Sequence, residues 1–179
     1  MKKHILVAFI SLAVTAPTSA TEWGIGFSTQ SDDQTIYFPI KAGDKLRIEP
    51  FFREESITYN RESIFDRYKI TSKSFSVGMG VFGITNIKEK SQLYYGARVS
   101  YQETEYTYKS ENLNFKNESD GYQFSPTIGF EYMLTDNILI AGEAEWTYSD
   151  TSLKSTYDNE GVDTKRSETE KRFILRYLF

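Results

Sequence analysis

The chain has 179 residues, with 21 Lys and Arg against 25 Asp and Glu and a formal net charge of −4. It has no cysteine and one histidine, His4. That composition excludes disulfides, thiolate metal sites and cysteine nucleophiles, and it offers no basic surface for nucleic acid.

Residues 1–20 are unlike the rest. Lys2 and Lys3 give a positive start, residues 5–14 are apolar apart from Ser11, and Thr18 and Ala20 are small. This is the pattern of a secretory signal peptide. The apolar run is far short of the roughly 18 residues of a spanning helix. Cleavage is expected after Ala20, leaving 21–179 as one domain. Without Lys2 and Lys3 the mature chain has 19 basic against 25 acidic residues, a net −6, and it loses His4.

Mean hydropathy is low, at −0.49, yet 16% of residues are aromatic. The apolar residues recur at every second position in eight segments. They are Trp23, Ile25 and Phe27, then Ile36, Phe38 and Ile40, then Leu46, Ile48, Pro50 and Phe52, then Phe75, Val77, Met79 and Val81. Next come Tyr95, Ala97, Val99 and Tyr101, then Phe124, Pro126, Ile128, Phe130 and Tyr132. The last two are Ile138, Ile140, Ala144, Trp146 and Tyr148, and Phe173, Leu175, Tyr177 and Phe179. A two-residue period predicts strands. Short turn-like connections at 42–45, 86–91 and 135–137 alternate with longer polar ones at 60–68, 109–121 and 150–170. The first of the outer connections, near Ser31, Asp32 and Asp33, is short. Pro39, Pro50 and Pro126 fall inside predicted strands, where a proline marks a bulge or boundary.

The expected fold class is all-β: a closed, antiparallel, up-and-down transmembrane barrel of about eight strands, apolar face to lipid and polar face inward. The polar face mixes small residues with charges of both signs: Arg47, Glu49, Arg53, Arg98, Glu131, Glu143, Glu145, Arg172 and Arg176. A narrow lumen requires that, because a buried unpaired ion is costly. A soluble periplasmic barrel with the faces reversed, binding a small ligand, is the structural alternative.

The chain ends in Phe173, Leu175, Tyr177 and Phe179, an alternating strand with a terminal aromatic. With the leader and the eight segments, this resembles the small outer-membrane barrels of the OmpX/Ail and OmpA-barrel type, over residues 21–179. The resemblance implies that this last strand is read by the barrel-assembly machinery. It also implies an adhesive, serum-resistance or structural role at the cell surface, in a monomer set in outer-membrane lipid and lipopolysaccharide, with host or envelope proteins as partners through the loops. Adhesive members carry elaborate loops, and the short first connection departs from them. Aromatics near strand ends fit interfacial girdles: Trp23, Tyr94, Tyr101, Tyr106, Tyr108, Trp146, Tyr148, Tyr177 and Phe179.

No catalytic, cofactor or metal residues are expected. Glu143 and Glu145 share a face, but nearby arginines favour their ionised, structural form. The histidine-dependent enzymes of the outer membrane find no counterpart in a mature chain without histidine. Asp158, Glu160 and Asp163 lack the spacing of a calcium loop. The inward charges point to a braced, closed lumen, with a narrow conduit for small or apolar solutes as the competing reading.

Overall fold

A computed structural model describes residues 20–30, 33–62, 67–110, 114–154 and 162–179. The leader reading falls on residues 1–19, outside the described residues, as do Ser31, Asp32, Asp158 and Glu160. The described chain is strand and tight turn: β1 (Ala20–Gln30), β2 (Asp33–Tyr37), β3 (Ile40–Ala42), β4 (Leu46–Glu62), β5 (Arg67–Lys88), β6 (Ser91–Ser110), β7 (Asn114–Met133), β8 (Ile138–Lys154) and β9 (Val162–Leu178).

Each strand pairs antiparallel with its neighbours, and β1 pairs with β9 from Gly24 with Leu178 to Ser28 with Ile174. The sheet therefore closes on itself. β2 and β3 both lie between β1 and β4 and count as one broken strand, so the ring has eight staves. The break is at Phe38 and Pro39, where proline removes a ladder donor. The other two prolines leave the register intact. Pro50 sits opposite Met79 in an unshifted β4–β5 ladder. Pro126 interrupts only the β7–β8 pairing, which resumes in step at Thr127. At the end with the short turns, Gly43 has φ of 72°, a conformation that costs glycine nothing.

The apolar set faces outward. Phe27, Val81, Tyr95, Val99, Ile128, Phe130, Trp146 and Leu175 are all exposed, while the charged positions between them are buried. A water-soluble sheet would be the reverse, so the polarity fits a lipid surround. On β7 the outward apolar positions run from Tyr132 to Tyr122. Those 10 residue steps span about 34 Å along the strand, or about 25 Å across a membrane at the usual tilt. Pro126 and Ile128 lie near the middle.

Above the band the strands continue, and this corrects the sequence reading. Polarity predicts loops at 60–68, 109–121 and 150–170, but most of each is strand. β5 has 22 residues, and β6 and β7 have 20 each, about twice what a crossing needs. Only 63–66, 111–113 and 155–161 separate these strands, and those lie outside the described residues. The reason is that outside lipid a hairpin needs no apolar alternation. Cross-strand pairs suffice. Lys116 on β7 stands 2.8 Å from Glu105 on β6 and holds that carboxyl below its usual pKa. Tyr59–Tyr68, Tyr68–Tyr108 and Tyr108–Phe115 form a row of ring contacts across four strands, at 6.3, 5.6 and 5.0 Å.

The wall is uneven. β1 ends at Gln30 and β2 begins at Asp33, paired to Glu55. Beyond that level β4 has no partner on its β2 side, and β9 above Ile174 has none on its β1 side, among the described residues. The β4–β9 sheet thus rises past the low side with two open edges.

Two substitutions separate the zones. Ile128→Arg, in mid-band, is expected to cost about 2–4 kcal/mol, against within about 0.5 kcal/mol for Thr107→Arg on the extension. Urea unfolding of the barrel refolded into phosphatidylcholine vesicles measures both, and equal costs would place the band elsewhere.

Candidate functional site in the barrel lumen

Eight strands enclose a lumen that side chains just fill, and here the filling is ionic and aromatic. Strands β4, β6, β7, β8 and β9 supply the nine predicted charges, all buried and all linked. Arg98 is the hub. Its guanidinium reaches Glu49 at 2.8 Å, Glu143 at 2.9 Å and Glu145 at 2.8 Å. Toward the turn end, Glu49 takes Arg176 at 2.9 Å and Arg47 at 3.5 Å, and Glu131 takes Arg47 at 2.6 Å and also Arg176. Toward the extended end, Glu145 takes Arg53 at 3.2 Å and Arg172 at 3.7 Å. Three neighbours that the alternation did not single out complete the set. Asp33 lies 3.1 Å from Arg172, Glu170 is bonded to Arg172, and Gln92 donates to Glu131 at 2.5 Å.

Charge balance follows from this geometry. Five arginines face four buried glutamates, and the half-buried Asp33 and Glu170 cover the remaining cation at the mouth.

The rest of the lumen is occupied by rings, which the sequence reading did not place inside. Tyr37, Phe51, Phe82 and Tyr94 form one buried cluster. Each lies directly across its ladder from a glycine: Tyr37 from Gly26, Phe51 from Gly78, Phe82 from Gly96, Tyr94 from Gly129. A Cβ at Gly129 would strike the Tyr94 ring, and one at Gly78 would meet Phe51 Cζ at 2.6 Å. The rings fit because the opposite position is empty. They also cover guanidinium faces. Arg47 lies 4.3 Å from the Tyr94 centroid, and Arg98 lies 5.1 Å from Tyr37 and 5.0 Å from Phe82. The Tyr94 hydroxyl donates to Glu143 at 2.8 Å.

Tyr94, expected at a membrane interface, is instead fully buried in this cluster. Its parity on β6 is that of Arg98, which puts it inside. Tyr106 and Tyr108 share that parity and face inward above the band. Trp23, Trp146, Tyr148, Tyr177 and Phe179 are exposed on the outer wall, and Tyr101 is half-buried against Tyr122. Trp23 stacks on Phe179 at 4.2 Å, and Trp146 stacks on Tyr148 at 5.6 Å. Phe173, Leu175, Tyr177 and Phe179 form one outward row on the last strand.

Chemically the four glutamates are all held by arginine, while the Nε of each arginine and one Nη of Arg47 find no hydrogen-bond partner among the described residues. Glu143 and Glu145 both accept bonds from Arg98, and neither is open to a substrate. Among the described residues no three His, Cys, Asp or Glu side chains converge as a metal site. Above and below lie two polar recesses, about 550 Å³ at the extended end and about 400 Å³ at the turn end, with the ionic and aromatic layer between them.

No family model and no curated protein sequence matches this chain. Solved structures do. A major outer membrane protein of Thermus thermophilus superposes with a TM-score of 0.65 at 9% identity, over 88% of this chain and 99% of that one. Neisserial surface protein A gives 0.51 at 15%, over 88% and 94%. Ail, the attachment invasion locus protein of Yersinia pestis, gives 0.50 at 12%, over 88% and 95%. At these identities the likeness is one of fold: the small up-and-down barrel found in outer-membrane proteins.

Two substitutions probe the packing. Arg98→Met leaves buried Glu143 with no ion pair among the described residues and takes one partner each from Glu49 and Glu145, and is expected to cost about 3–5 kcal/mol. Gly129→Val drives a side chain into Tyr94 and is expected to cost about 1–3 kcal/mol. The readout is the urea midpoint in vesicles. An Arg98→Met barrel as stable as the parent would mean that water reaches the network.

Proposed function

We propose that this chain is a non-enzymatic outer-membrane barrel, exported by a cleaved leader at 1–20, that acts at the cell surface through its protruding strands and the segments joining them. The observation that carries the reading is the β4–β9 sheet, which outruns the apolar band and leaves edges open on β4 and β9. Open edges with unpaired backbone groups are sites for strand addition by another protein. The turn end is then periplasmic, following the habit of such barrels. The C-terminal row from Phe173 to Phe179 is the segment offered to the assembly machinery, with lipid and lipopolysaccharide against the outer wall and the barrel as a monomer.

A narrow conduit is less well supported. Arg98 and its three glutamates lie across the lumen with the four rings packed around them, so a solute would have to break several charge-assisted bonds to pass.

The first test is location: envelope fractionation with boiled and unboiled samples compared on a gel. An outer-membrane band whose mobility shifts on boiling is expected. The second trims the β4–β5 and β6–β7 hairpins at the paired residues Ile57 and Ser72, and Glu103 and Asp120, closing each with Asn-Gly. The trimmed barrel is expected to keep its mobility shift while expressing cells lose adherence to epithelial monolayers or survival in serum. Unchanged adherence and survival would remove the surface-interaction role and leave a structural one.

A further inference from the structure

The recess at the extended end has a built floor and a graded wall. Its volume of about 550 Å³ is in the range of small-ligand sites. The wall on β4, β5 and β6 is a panel of registered rows. Arg53, Ser76 and Gln102 stand in the deepest row, Glu55, Ser74 and Thr104 in the next, and Ile57, Ser72 and Tyr106 above them. Hydroxyl groups lie deep and apolar groups lie shallow. The Ile57 side chain and the Tyr106 ring are exposed within the recess, although neither lipid nor core requires apolar groups there.

Arg53 forms part of the floor. It is more than nine-tenths buried, and one Nη is held by Glu145. Its Nε, like that of the other four lumen arginines, has no hydrogen-bond partner among the described residues. Asp33 stands 3.8 Å from it, and its other Nη meets Glu170 only at 3.9 Å, but Arg53 alone of the five lines this recess. A guanidinium has five donors, and these are underused. What they lack is an oxygen acceptor. An anion is disfavoured, because Asp33, Glu55, Glu168 and Glu170 all line the recess. Of these carboxylates only Glu55 is left to meet a cation, because Asp33 and Glu170 already serve Arg172, and Glu168 serves Arg166 at 2.7 Å. A neutral ligand rich in hydroxyl oxygens gives Arg53 its acceptor and can take the one hydroxyl proton that the Ser74–Thr104 pair, bonded at 3.0 Å, has left over, and its C–H faces pack on the Tyr106 ring and Ile57.

We propose that this recess binds the end of a neutral saccharide chain, with its terminal sugar on Arg53, Ser74 and Thr104 and its next ring against Tyr106 and Ile57. The inference deepens the surface-interaction reading and rests on it for the side of the membrane that the recess faces. Binding itself is independent of location, so the two fail separately: fractionation tests location, and purified barrel tests binding.

The experiment uses the full barrel in dodecyldimethylamine oxide micelles, which carry no sugar headgroup. Saturation-transfer NMR is recorded with lactose, cellobiose, maltose and N,N′-diacetylchitobiose, and with spermidine and a sulfated heparin disaccharide as charged probes. At least one neutral disaccharide is expected to receive saturation. Tyr106→Ala and Ser74→Val are each expected to cut the signal five-fold or more, and Thr107→Arg, on the outer wall, to leave it unchanged. All variants are checked for the mobility shift on boiling. The proposal is overturned if no neutral disaccharide responds. It is also overturned if the response survives both recess substitutions in folded barrels, or if a charged probe binds more tightly than every neutral one.

Discussion

An eight-stranded barrel has room inside for its own side chains and little more, so each inward group must fit its place and have its charge met there. The architecture of this protein follows from that constraint. The inward positions of β1 and β5 at this level are largely glycine, and the charges come from β4, β6, β7, β8 and β9. Each of the four lumen rings faces a glycine across its ladder. The rings in turn narrow the space around the guanidinium groups until Arg98 can hold three carboxylates at 2.8–2.9 Å. Steric fit and charge pairing are thus a single problem. A side chain added at Gly129 disturbs Tyr94, and Tyr94 is bonded to Glu143.

Outside the lipid the rules change along the same strands. Within the band the outer wall must be apolar, and the inner wall carries the polar residues. Above it both walls meet water. Ion pairs such as Glu105–Lys116 and the ring contacts from Tyr59 to Phe115 then hold the hairpins together. Because β1 and β2 stop early, the extension is an open sheet, with edges and a concave face. Those are features a closed barrel lacks, and the surface-interaction reading and the saccharide recess both depend on them.

Much of this was legible in the sequence. The alternation from Phe124 to Tyr132 and from Phe173 to Phe179 has a strict period of two, and period determines which residues share a face. The nine charges were legible for the same reason, each being the odd residue out in an apolar segment. The ends of the strands were not. Lys109 and Lys116 look like loop residues because polarity marks water, and water touches both loops and protruding hairpins. Tyr94, Tyr106 and Tyr108 were misplaced because aromatic character marks interfaces and cores alike. Only their parity relative to Arg98 puts them inside.

The sequence by itself determined which side chains share a face and, through the glycines and paired charges, that the polar face is the crowded one. Periodicity is a local property of the backbone and needs no partner strand. The tertiary structure alone decided which residue on one strand meets which on the next. Register set Tyr37 against Gly26 and Tyr94 against Gly129, brought Arg98 to Glu49 from 49 positions away, and aligned Ile57, Ser72 and Tyr106 in one row. Register is fixed by ring closure and by steric fit across the lumen, and neither exists until all the strands are in place.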